Sequence, residues 1–278
     1  MKYLKLLGWL LVYAFIFLFG NIIAGVLLGI VYLFKSIIAG GPLPLEKFIF
    51  QNFTFLLLIS GVITLVLSFS VLLIRGKNPI KYLEFRMMSW RNTLLMALTG
   101  FGFAFFINSF MSLIRIDEFF PDVVTEPIME MMTASFSLAF LAIGIVVPIY
   151  EEVLLRGLVF KELGQNMNFR LALLLQGLIF GLMHGNFLQF SYTFPTGILL
   201  GFAYYKYQSI FAPILIHLVW NSTSLLMSKV LPESNSPLVF ILLLFFGAVL
   251  FLGGIIAILK SAPPVETVPD IPPEEQEV

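Results

Sequence analysis

Eight stretches of this chain are apolar over roughly the length of a membrane crossing, and no other feature constrains the fold as much. A helix needs roughly 20 predominantly apolar residues to cross the bilayer core, and inside it every backbone amide must find its partner within the segment. The stretches run approximately Leu6–Phe34, Phe53–Ile74, Thr93–Ile114, Thr133–Tyr150, Leu171–His184, Phe187–Tyr205, Ile210–Met227 and Leu238–Leu259. The fifth is short and tightly linked to its neighbours, which predicts that the central helices pack as one buried bundle. The first is too long for a signal-peptide core and lacks a clear cleavage site, so it is expected to be a span of the mature protein. Composition points the same way. Charged residues make up 12% of the chain and hydrophobic ones 59%, whereas a soluble domain carries about 25% charged residues. A soluble enzyme and a disordered chain are both excluded.

The expected fold is therefore an all-α polytopic membrane bundle of about eight transmembrane helices. Its orientation follows from the basic residues, which favour cytoplasmic connections. With the N-terminus inside, Lys2, Lys5, Arg75, Lys77, Lys81, Arg86, Arg91, Arg156, Lys161, Arg170, Lys206 and Lys260 fall in the cytoplasm, twelve of the sixteen. Lys35, Lys47, Arg115 and Lys229 fall outside, and the third outer connection is acidic, with Asp117, Glu118, Asp122, Glu126 and Glu130. This predicts an N-in, C-in protein, expected in the cell membrane. Acidic and basic residues cancel, so nothing points to nucleic acid, and lipid is the expected surrounding. The chain has no cysteine, which removes disulfides, thiolate catalysis and cysteine metal sites.

Four regions follow: N-terminal helices and loops over 1–132, a core over 133–229, a last helix over 230–260, and a tail over 261–278. Five prolines and five acids in that tail predict a disordered cytoplasmic end. No repeat is visible. Gly25 with Gly29, Gly177 with Gly181 and Gly197 with Gly201 have the spacing that lets membrane helices approach closely.

Ionisable groups inside membrane spans are costly and therefore tend to mark function. Here they concentrate in the core. Glu151-Glu152 follows Pro148, and Arg156 comes four residues after Glu152. That spacing puts Glu152 and Arg156 on one helix face, acid first, as a buried ion pair. Glu151 lies about 100° away from Glu152 and has no basic partner one turn on, so its carboxylate suits a general base. The chain's two histidines stand in Phe180-Gly-Leu-Met-His184 and His217-Leu-Val-Trp-Asn221. His217 and Asn221 are one turn apart and present two polar groups to one point. An acid, two imidazoles and a carboxamide make a usable set: base, proton shuttle and oxyanion donors.

These motifs, EExxxR, FxxxH and HxxxN on successive apolar helices, resemble those of the CPBP family of intramembrane proteases, the CAAX proteases and bacteriocin-processing enzymes. Its type II CAAX prenyl endopeptidases remove the last three residues of prenylated proteins. The resemblance covers Thr133 to Lys229 and matches all three motifs. It implies an intramembrane endopeptidase acting on a membrane-associated, in some members prenylated, peptide or protein. Glu151 would activate water, His184 would assist, and His217 with Asn221 would receive the oxyanion's charge. Glu152, Arg156 and Phe180 would be supporting residues. The four catalytic positions are expected to line one polar cavity nearer the cytoplasmic end. A metal-independent glutamate mechanism, with no cofactor, is favoured. A zinc site of Glu151, His184 and His217 is the alternative, although such a site usually also uses a separate carboxylate base. A non-catalytic immunity or scaffold protein and a transporter are the other readings of the same polar centre.

Overall fold

The computed structural model describes residues 2–120, 135–231 and 236–261. Most of the acidic outer connection and the proline-rich tail lie outside the described residues. Within them the chain is a helical bundle without a strand. The long elements are α1 (Lys2–Ile38), α2 (Leu45–Ile74), α4 (Trp90–Leu113), α6 (Phe136–Gly164), α7 (Phe169–Met183), α8 (Phe187–Tyr207), α9 (Phe211–Val230) and α10 (Pro237–Lys260); α3 (Pro79–Tyr82) and α5 (Ile116–Phe119) are single turns.

Every apolar stretch of the sequence is thus a helix. Six of them, α1, α2, α4, α6, α9 and α10, are long and apolar enough to cross a membrane. The protein is an integral multi-pass membrane protein. The remaining two form a hairpin: α7 has only 15 residues, and α8, with 21, is diluted by Gln189, Thr193 and Thr196.

Consecutive long helices run in opposite directions, and close contacts fix this. Gly20 of α1 lies against Ser60 and Thr64 of α2, Gly144 of α6 against Ser222 of α9, and Gly102 and Gly247 join α4 to α10. One end of the bundle therefore gathers Lys2, the 75–89 connection, the 165–168 and 208–210 turns, and Lys260. It is the basic end. The other gathers Ile38, Leu113, Phe136, the 184–186 turn and Val230.

The close-approach spacings are used selectively. A Cβ on Gly197 would stand 3.0 Å from the Gly177 Cα, so the α7–α8 hairpin needs both glycines. Gly25 and Gly29 face open space instead and bring no helix close. The main core lies toward the basic end, where Val153–Leu163 of α6 are buried along their whole length among Leu83, Met96, Leu200 and Ile216.

Candidate active site

Pro148 shapes the centre of α6. Proline has no N–H to return to the preceding turn, and bare carbonyls are costly in a membrane. The turn before it, Phe140–Val146, is wound as a π-helix, and α9 supplies the missing donors. Asn221 Nδ2 donates to the Ile143 carbonyl at 3.0 Å, and Ser222 Oγ to the Gly144 carbonyl at 3.1 Å. A second π-helical stretch, Val153–Phe160, follows Glu152. Wide turns of this kind often occur at functional sites. Between them, Glu151 and Glu152 face different partners.

Glu152 is fully buried, and its Oε1 accepts two bonds, from Arg156 Nη1 at 2.9 Å and His217 Nδ1 at 2.8 Å. Arg156 also donates through Nη2 to the Gly197 carbonyl at 3.1 Å, which Gln176 Nε2 shares at 2.8 Å. The guanidinium lies over the Phe180 ring, 4.6 Å from its centre. The buried pair expected from the i,i+4 spacing is present. Its reach to His217, 65 residues further along the chain, is not contained in that spacing.

With Nδ1 engaged by Glu152, His217 turns Nε2 toward Glu151, whose Oε2 is 3.9 Å away. That atom is buried and has no hydrogen-bond partner among the described residues. Trp220 stacks on the His217 ring at 5.3 Å between centroids. Phe180 meets both imidazoles edge-on, His217 at 5.7 Å and His184 at 5.0 Å. His184 ends α7 and donates from Nδ1 to the Phe180 carbonyl at 2.9 Å, leaving Nε2 available.

Glu151, His184, His217 and Asn221 all line one cavity of about 500 Å³. Glu152, Arg156 and Phe180 lie behind its wall. The cavity extends toward the end of the bundle opposite the basic end, along Asn108, Met111, Ser224 and Ser228. Toward the basic end, the stretch of α6 beyond Glu152 is densely packed. Among the described residues, no three His, Asp or Glu side chains form a group able to hold a metal ion.

Other lining residues were not singled out from the sequence: Gln189, Tyr192, Trp220, Asn108 and Ser224. One signal was available. Asn186 and Gln189 have the spacing of a capping box. Asn186 accepts from the Gln189 amide at 2.8 Å and donates to the His184 carbonyl at 3.1 Å, pinning the turn that carries the histidine.

Comparison with known proteins bears on this core. A family model described as type II CAAX prenyl endopeptidase Rce1-like matches residues 133–223. That segment, about a third of the chain, is similar to this family. It contains every motif residue named above and runs through α6 to α9 as far as Thr223. A protein of Bacillus subtilis (strain 168) named "Putative membrane peptidase YdiL" is 30% identical over 103 residues, which is 37% of this chain and 42% of that relative. The chain thus matches less than half of the relative's length. No solved structure matches the chain.

Proposed function

We propose that this protein is an intramembrane endopeptidase that hydrolyses a peptide bond of a membrane-associated peptide or protein with water activated by Glu151. The observation that carries this reading is the Glu151–His217 gap. A buried carboxylate oxygen without a partner costs free energy unless something uses it. At 3.9 Å from Nε2 it is too far for a direct bond, yet both atoms can hold one water between them.

Glu151 takes a proton from that water as its oxygen attacks the carbonyl carbon. The carbonyl oxygen gains the negative charge. Asn221 has a second amide hydrogen to offer, since only one is needed for Ile143. His217 can donate from Nε2 when protonated, a form that Glu152 at Nδ1 supports. Collapse of the tetrahedral intermediate breaks the C–N bond, and the proton held by Glu151 passes to the leaving nitrogen. His184 assists from the rim. Glu152 and Arg156 are positioning residues.

Purified protein incubated with a membrane-peptide library, with products mapped by mass spectrometry, tests this directly. Cleavage is expected, and Glu151→Ala should abolish it while leaving a folded, extractable protein. Cleavage that survives in Glu151→Ala would move the base to Glu152. Metal analysis and chelation of the active preparation test the zinc alternative. Stoichiometric zinc, with activity lost on chelation and restored on its return, would replace the glutamate mechanism.

A further inference from the structure

The side of the membrane from which this site is reached can be read from the bundle, and it narrows the substrate class. The inference rests on the endopeptidase reading for the word substrate, but not for the direction of access. Below Glu151, toward the basic end, the described residues of α6 are tightly packed. Glu152 and Arg156 fill the next turn at 0% exposure, followed by Leu155, Leu158 and Phe160, each also at 0%. Beneath these lies a tier of ion pairs, Lys161–Glu84 at 3.2 Å, both buried, and Arg75–Glu162 at 2.9 Å, of which Arg75 is partly exposed. Water or peptide coming from that end would have to displace both layers.

Among the described residues the cavity extends in the opposite direction. From the floor at Glu151 and His217 the cavity passes Asn221 and then Asn108, whose Nδ2 donates to Ser224 Oγ at 2.8 Å. It reaches Ser228, which is exposed and two residues from the end of α9, and Met111, two residues from the end of α4. Both helices end away from Lys2 and Lys260.

Eleven of the sixteen basic residues belong to the other end, which assigns that end to the cytoplasm. We infer that the catalytic cavity opens on the non-cytoplasmic face, and that its substrates are peptide segments presented there: exported peptides or the outer segments of membrane-anchored proteins. A cytoplasmic C-terminus, prenylated or not, meets the packed side of α6. The Asn108–Ser224 tier offers a peptide backbone donors and acceptors on its way to Glu151.

The absence of native cysteine makes the test clean. Ser228→Cys reports the cavity mouth. Met87→Cys, 86% exposed in the connection before α4, reports the basic end. Each single-cysteine protein is treated with a membrane-impermeant sulfonated maleimide in intact cells and in inverted vesicles. Ser228→Cys should be labelled in intact cells and lose labelling in inverted vesicles, with Met87→Cys giving the reverse. Labelling of Ser228→Cys only in inverted vesicles would overturn the inference. A second arm uses proteoliposomes sorted by orientation and an impermeant fluorogenic peptide pool. Cleavage is expected only where the Ser228 end faces the peptide. Cleavage confined to the Met87 side would overturn the direction of access and leave the endopeptidase reading standing. No cleavage even in detergent would overturn the endopeptidase reading, and the labelling would still decide the direction.

Discussion

Glu152 holds Arg156 and His217 on one carboxylate oxygen, so removing either neighbour has a different consequence from removing Glu151 beside it. Truncating Arg156 leaves a buried negative charge half compensated. Arg156→Ala should cost on the order of 3–5 kcal/mol, measured as a lower thermal midpoint in detergent, where Glu151→Ala should stay near the parent. Glu152→Gln keeps the volume but weakens the hold on His217 Nδ1. By comparison with other carboxylate-oriented histidines, kcat should fall on the order of 10²–10⁴-fold, with KM little changed, in a cleavage assay on the substrate found by library screening. At this scale the sequence is legible where partners share a helix: Glu152 with Arg156, His217 with Asn221. The Glu152–His217 bond is not legible, because it depends on how α9 packs on α6. Pro148 leaves carbonyls of the preceding turn without a donor, and that Asn221 fills one of them depends on the same packing.

Identical glycine spacings behave differently in different helices. On the α7–α8 hairpin a Cβ at Gly197 would press on backbone at Gly177 and on Phe180, neither of which has room to retreat. The shift would also draw the Gly197 carbonyl away from Arg156 and Gln176. Gly197→Ala should therefore destabilise by about 1–3 kcal/mol, in the range of overpacked cores. Gly29→Ala, which meets nothing, should stay within about 0.5 kcal/mol. Thermal midpoints of the two variants side by side provide the check. Spacing in a sequence says how closely a helix can be approached; it does not say whether a neighbour comes. The same limit applies to the helices themselves. All eight were visible as apolar runs, whereas the π-helical turns around Glu151 were not, since they answer to Pro148 and to α9 together.

Across the whole molecule, polar groups are sorted by depth. The basic end is tied by Glu162, whose Oε2 accepts from Arg75 at 2.9 Å and from Tyr13 at 3.1 Å, joining α1, α2 and α6. Arg75 also lies over the Trp9 ring, 3.9 Å from its centre. Arg75→Ala breaks both contacts and leaves Glu162 buried without its cation. A loss on the order of 3 kcal/mol is expected, together with faster proteolysis of α1 in detergent. The architecture that places the cavity floor above this tier was only half visible in advance. Alternating apolar runs and basic loops set the up-and-down order, but which half of α6 would pack solid depends on residues from several other helices.

The charges at the middle of α6 also bear on how the protein is made. Glu151, Glu152 and Arg156 leave the ribosome together, while the groups that satisfy them, the Gly197 carbonyl and His217, are synthesised later. Each charged residue at a helix centre costs about 2.5–3.5 kcal/mol at the translocon. A nascent α6 on its own is therefore a poor candidate for release into lipid. It has reason to wait at the insertion machinery until α8 and α9 arrive, so that assembly of the core and its entry into the bilayer become one event.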